Sequence, residues 1–193
     1  ASFRDAISQD PHFAMAHAAL GEAYRQMYEA TKNNEWFDHA LESCSRAIAL
    51  NDQHASAYVT LGFLHNNTGR YEEAVKEFEH AIRLEPASRQ AYRGRGSAFE
   101  KLNRTDQAEA IYHQLIELRP NDWVGYRDLQ LFYLRMGRTE DALKYLDKVV
   151  AVIPEGFRAR NDIGAICYFS NRREDARRMW EQSIKIAPNY AAY

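Results

Sequence analysis

The sequence predicts an all-α solenoid of helix–turn–helix repeats, on three observations. Prolines stand at Pro86, Pro120, Pro154 and Pro188, each 34 residues after the last. Alanines keep the same step at Ala74, Ala108, Ala142 and Ala176. Large apolar side chains keep it at Phe78, Tyr112, Leu146 and Trp180. A fixed period of this length marks stacked supersecondary units, none of which can bury its apolar face alone.

Counting back from the prolines gives repeats at 55–88, 89–122, 123–156 and 157–190. In the first of these, Tyr58, Leu61, Phe63 and Leu64 form a helical stripe that Asn67, Thr68 and Gly69 break. A second helix follows from Tyr71 to Leu84, with Ala74, Val75, Phe78, Ala81 and Ile82 on one side. Pro86 stops it, because proline lacks the backbone donor and clashes with the preceding turn. The next repeats follow the same plan through Tyr92, Tyr126 and Ile163. One departs: Arg95 stands where Leu20, Leu61, Leu129 and Ile163 stand elsewhere, and is read as a charge that snorkels outward or finds a partner.

Upstream, Leu20, Gly21 and Tyr24 fit a first helix and Ala40, Cys44 and Ala47 a second. Seven extra residues make this repeat 41 residues long, from 14 to 54. Seven residues are nearly two helical turns, so both helices should lengthen and pack on each other around Met27, Tyr28, Trp36 and Phe37. Phe3, Ala6 and Pro11 match the end of a preceding repeat at 1–13, and 191–193 begin a following one. With no initiator Met, the chain reads as a piece of a longer array.

These slots match the pattern W-x2-L-G-x2-Y…A-x3-F…P: Tyr58, Leu61, Gly62, Ala74, Phe78 and Pro86 in one repeat, Ile163, Gly164, Ala176, Trp180 and Pro188 in another. The chain resembles the tetratricopeptide repeat family over essentially its whole length. The resemblance implies a right-handed superhelix and a role as a protein-interaction scaffold. An alternative reading is a regulatory or sensory segment of a larger signalling enzyme, because the array is similar to those attached to bacterial Ser/Thr kinases and nucleotide cyclases.

Composition narrows the function further. Lys and Arg number 25 against 27 Asp and Glu, a net charge of −2 that argues against a nucleic-acid partner. Most of the twelve tyrosines fall in core slots, so they do not read as a stacking platform for bases. No apolar run approaches a membrane span. Glycine loops for phosphates, metalloprotease and serine-hydrolase motifs and calcium loops are missing, so no enzyme activity is expected within the chain. The seven histidines lack metal-ligand spacing, and neither a metal nor a cofactor is expected. His65 reads as a packed helix residue. Cys44 and Cys167 lack CxxC spacing and read as small buried side chains in a reducing, cytoplasmic setting.

The face of each first helix opposite the core carries the functional expectation. In this family, the resemblance implies, that stripe lines a concave groove that holds peptides. It contains Gln90, Arg93, Ser97, Glu100 and Lys101; then Val124, Arg127, Asp128, Leu131, Leu134 and Arg135; then Arg158, Asn161, Asp162, Ala165, Tyr168 and Phe169. Five basic residues (Arg93, Lys101, Arg127, Arg135, Arg158) face three acidic ones (Glu100, Asp128, Asp162). Leu131, Leu134, Tyr168 and Phe169 add apolar surface the core does not claim. The expected partner is therefore a protein or peptide with acidic and apolar groups, its carboxylates gripped by guanidinium forks. The competing structural reading pairs Arg93 with Asp128 and Arg127 with Asp162 as ion pairs between repeats. The carboxylate clamp of chaperone-tail receptors is not matched, since Asp128 and Asp162 stand at clamp positions. The asparagine ladder of the sugar-transferase relatives is replaced by Ala19, Thr60, Gly94, Asp128 and Asp162. Uncapped ends, including Trp180, are expected to favour self-association.

Overall fold

The computed structural model describes residues 3–152 and 156–188, and the side chains of Leu146 and Asp147 are not among those described. Pro154 and the expected start of a following repeat at 191–193 lie outside the described residues. Among them there are twelve helices and no strand: α1 (Phe3–Gln9), α2 (Ala14–Thr31), α3 (Asn34–Leu50), α4 (Ala55–Asn67), α5 (Tyr71–Leu84), α6 (Arg89–Lys101), α7 (Thr105–Leu118), α8 (Trp123–Arg135), α9 (Thr139–Leu143), α10 (Leu146–Val152), α11 (Phe157–Phe169) and α12 (Arg173–Ile186). They form two compact units, Ala1–Ile111 and Tyr112–Tyr193.

In the first unit α2 runs 18 residues and α3 runs 17, whereas α4 has 13 and α5 has 14. The extra turns of α2 and α3 pack on each other. Tyr24 stacks on Trp36 at 5.7 Å, and Tyr28 meets Phe37 edge-on at 5.5 Å. Below them Tyr24, Ala40, Cys44, Leu61 and Leu64 form a buried cluster. Asn33 opens α3 by accepting the Glu35 amide, a side-chain cap that satisfies an otherwise orphan donor. Burial pushes the Cys44 thiol up to about 12, so it stays protonated as a packing group.

The helix pairs close where a large side chain enters a gap left by glycine. Phe78 of α5 is fully buried. A Cβ added at Gly62 on α4 would lie 2.6 Å from its ring, and one at Gly94 on α6 would lie 2.2 Å away. Arg95 does find a partner: its guanidinium reaches Glu79 at 2.6 Å and lies over the Phe99 ring at 5.3 Å. The turns between paired helices place Gly69, Asn103, Gly137 and Asn171 at positive φ, again 34 residues apart. That left-handed position ends a helix and favours Gly or Asn.

In the second unit Tyr126, Leu143, Val149, Ile163, Ile166, Cys167 and Met179 build the core. Trp180, expected to seek a neighbour at an open end, instead packs inward. Its ring fills the space beside Gly164, and its indole N–H donates to the Asn161 carbonyl at 3.3 Å. The glycine leaves room for the ring and the carbonyl satisfies its donor, which is why it turns in.

One expected helix is broken. The segment that should run on after Thr139 stops at Leu143, turns through Lys144 and Tyr145, and resumes at Leu146. Opposite the break, on α8, lies Gln130. Gln130 occupies the register slot held by Gly21, Gly62, Gly96 and Gly164. It is buried, and its amide donates to the Ala142 carbonyl at 3.1 Å. A carbonyl engaged from the side weakens the helical ladder at that point.

Candidate functional site

Within the second unit, α8 and α11 enclose an apolar hollow of about 350 Å³. Its walls are Leu131 and Leu134 from α8 and Ala165, Ile166 and Phe169 from α11, with Arg127 and Asp162 as the polar members. Asp122 caps the start of α8 by accepting the Val124 amide, and this fixes the turn from which Arg127 projects. Residues 127, 131 and 134 recur at helical spacing and therefore share one face. Phe169, in the last turn of α11, is 85% exposed, and Leu131 is 37% exposed. A phenyl ring left that open beside an apolar hollow is surface the core has not claimed.

The charged groups of the hollow are closely matched. Arg127 lies over the Trp123 ring at 5.1 Å, and its guanidinium reaches the buried Asp128 at 3.5 Å. Apolar surroundings push the Asp162 carboxyl above the usual aspartate range, against the pull of the Arg127 charge. Arg127 therefore faces two carboxylates already.

Of the residues expected to line a groove, the structure brings Arg127, Leu131, Leu134 and Phe169 together. The others do not line this hollow. Arg135 is exposed, and Arg158 is exposed with its guanidinium over Phe157 at 5.7 Å. Asn161 turns its carbonyl to Trp180. Tyr168 packs between Phe169 at 5.6 Å and Trp180 at 5.8 Å. Arg93 and Lys101, both exposed, and the partly buried Ser97 sit on α6 in the first unit. The cluster of guanidinium groups read from the stripe is thus not what this hollow contains. Asp162, read from the stripe as a pairing partner for Arg127, and Ala165, a member of the same stripe, also line it, and Ile166 does so without having been singled out.

Elsewhere the side chains singled out by type are packing groups. Tyr24, Tyr58, Tyr92, Tyr112, Tyr126 and Tyr133 are all buried, which removes them as a base-stacking platform. His65 is partly buried in α4, and burial together with Arg70 holds its imidazole below the usual range. A second hollow of about 670 Å³ opens in the first unit among α1, α2 and α3. Its lining mixes apolar side chains such as Ile7, Leu20 and Ala49 with polar ones, and Arg4 donates to the Tyr24 hydroxyl at 2.6 Å and 3.1 Å. No helix among the described residues is long and apolar enough to cross a membrane.

A model of the tetratricopeptide repeat matches residues 65–122 and 133–192, more than half of the chain. The chain belongs to the tetratricopeptide repeat family. Solved tetratricopeptide repeat structures share the fold. YrrB, described as a TPR protein with an unusual peptide-binding site, is 23% identical over 98% of this chain and 94% of its own, with a TM-score of 0.57. PilF of Pseudomonas aeruginosa is 20% identical over 97% of this chain and 82% of its own, at 0.67. TTC0263 of Thermus thermophilus is 18% identical over 92% and 93%, at 0.65. No curated protein matches the sequence. Tetratricopeptide repeat proteins are in general protein-interaction scaffolds, and this chain has their all-α repeat fold.

Proposed function

We propose that the chain is an interaction scaffold that holds a protein or peptide segment in the hollow between α8 and α11. The observation that carries the reading is Phe169, 85% exposed on the rim of an apolar hollow of about 350 Å³. A hollow of that size takes one or two apolar side chains, and pockets at the small end of the ligand-binding range have this volume. Leu131, Leu134, Ile166 and Phe169 supply contact for such an anchor. Arg127 and Asp162 fix the direction of the main chain on either side of it. Arg93, Ser97 and Lys101 on α6, with Arg135, Arg158, Asn161 and Tyr168, are proposed as contacts for the rest of the segment, and the exposed cations among them would receive acidic groups outside the hollow. YrrB, by its description a peptide binder, supports the general role and not the particular surface.

The test is selection of binders from a random-peptide display library, followed by comparison of wild type with Leu131→Glu. Leu131 is exposed, so a charge there leaves the core intact. Selected peptides should lose at least tenfold in affinity on the variant, about 1.4 kcal/mol, while far-ultraviolet dichroism stays unchanged. Equal binding to both proteins refutes the reading.

A further inference from the structure

The charges that meet at the hollow bear on the kind of segment it takes. Resting on the reading above, we infer that the hollow itself selects an uncharged stretch, an apolar side chain whose flanking main-chain amides lie between Arg127 and Asp162, and that Asp162 is the residue that excludes an acidic one.

Arg127 is the centre of this selection. Its guanidinium is held by the Trp123 ring at 5.1 Å and by Asp128 at 3.5 Å, so it cannot swing far from the hollow. The Arg127 side chain is 28% exposed, and a main-chain carbonyl accepts from its open N–H groups without adding charge. Asp162 on the facing helix offers acceptors, which a main-chain N–H matches. A ligand carboxylate would be the third anion around one guanidinium. A ligand ammonium would meet Arg127 as a like charge in surroundings apolar enough to raise the Asp162 carboxyl. The neutral amide alone gains from both groups and opposes neither.

Three fragments that share one isobutyl anchor and differ in charge test this: N-acetyl-leucine-N-methylamide, 4-methylpentanoate and 3-methylbutylamine. Fragments of this size bind in the millimolar range at ordinary ligand efficiency, so each is titrated to about 50 mM while the methyl resonances of Leu131, Leu134 and Ile166 are followed by NMR. The diamide should bind roughly fivefold or more tighter than either ion, and its affinity should change less than about twofold between about 0.02 and 0.3 M salt. In Asp162→Asn, 4-methylpentanoate should gain roughly fivefold or more. Equal binding of all three, tightest binding by an ion, or no gain for the acid in Asp162→Asn overturns the inference while leaving the hollow as a binding site. If none of the three shifts those methyl resonances, the reading of the hollow falls, and this inference with it. Leu131→Glu, which should abolish the shifts, guards against binding elsewhere.

Discussion

Gly94→Ala sets two physical effects against each other at one atom. Helix propensity alone favours the change, because alanine in a helix interior is better than glycine by about 1 kcal/mol. Packing opposes it. A Cβ at Gly94 would lie 2.2, 2.4 and 2.8 Å from three atoms of the Phe78 ring, where carbon atoms ordinarily rest ~3.5–4.0 Å apart. The ring cannot retreat far, since it is fully buried, meets Phe63 edge-on at 5.1 Å, and has Gly62 on its other side, where a Cβ would also lie only 2.6 Å away. Overpacking of a rigid core side chain costs roughly 1–3 kcal/mol. The net expectation is a loss of about 1 kcal/mol, placed at the junction of α5 and α6. Stability in a repeat array is a sum of local terms, so the assay is amide exchange in α5 and α6 beside a urea melt. Phe78→Leu in the same background should restore part of the loss, a coupling of roughly 0.5 kcal/mol or more. Unchanged or slower exchange in Gly94→Ala alone refutes the packing account and makes propensity the stronger effect.

Three further outcomes follow from the packing and the ion pairs. Arg95→Leu restores the apolar residue of the other repeats and removes a partly exposed ion pair with Glu79, worth about 0–1 kcal/mol; thermal melts should show equal or higher stability, and a loss above about 1 kcal/mol would show that Arg95 is structurally required. Gln130→Gly frees the Ala142 carbonyl, which in a continuous helix accepts from the amide four residues on, so α9 and α10 should join and the Leu146 amide should exchange about tenfold more slowly; unchanged exchange there would mean the break has another cause. Burial pushes the Glu22 carboxyl up, but hydrogen bonds from Arg25, Gln26 and Thr60 and the Arg25 charge outweigh it and hold it below the ordinary range. A carboxylate depressed in the folded state stabilises fully above its unfolded value and loses that contribution as pH falls through the folded one. The melting difference between wild type and Glu22→Gln should therefore be constant above about pH 4.3 and shrink below it, and a difference that stays flat to low pH would count against the network.

The period made the fold legible because it is a packing constraint repeated, and its positions recur in the structure as buried groups. Ala74, Ala108, Ala142 and Ala176 are fully buried, Tyr112 is buried too, and Phe78 fills the space beside Gly62 and Gly94. α5, α7 and α12 end two residues before Pro86, Pro120 and Pro188. The candidate site was legible only in outline. Helical spacing placed Arg127, Leu131 and Leu134 on one face of α8, but it counts charges along a helix and carries no information about which of them meet across helices. Five cations against three anions thus read as a basic groove, whereas Arg127 in the structure faces Asp128 and Asp162 while Arg135 and Arg158 stand apart from the hollow. The same limit explains Trp180: its slot in the period identified a large side chain, and only the position of Gly164 shows which way it turns.

Gln130 and Gly164 show how one register slot governs both structure and site. Glycine there admits the large side chain of the paired helix, as Gly164 admits Trp180 and Gly62 admits Phe78. When the slot holds glutamine, the amide takes the Ala142 carbonyl and the paired helix breaks two residues later. Gln130 is flanked by Leu129, fully buried, and by Leu131, whose side chain opens on the hollow. The buried amide ties α8 to the paired helix at this level, one residue from the Leu131 side chain that lines the hollow. One register slot thus lies opposite the helix break on one side and next to the apolar wall of the cleft on the other, so Gln130→Gly tests both at once: the joining of α9 and α10, and any shift of the Leu131 and Leu134 methyl groups.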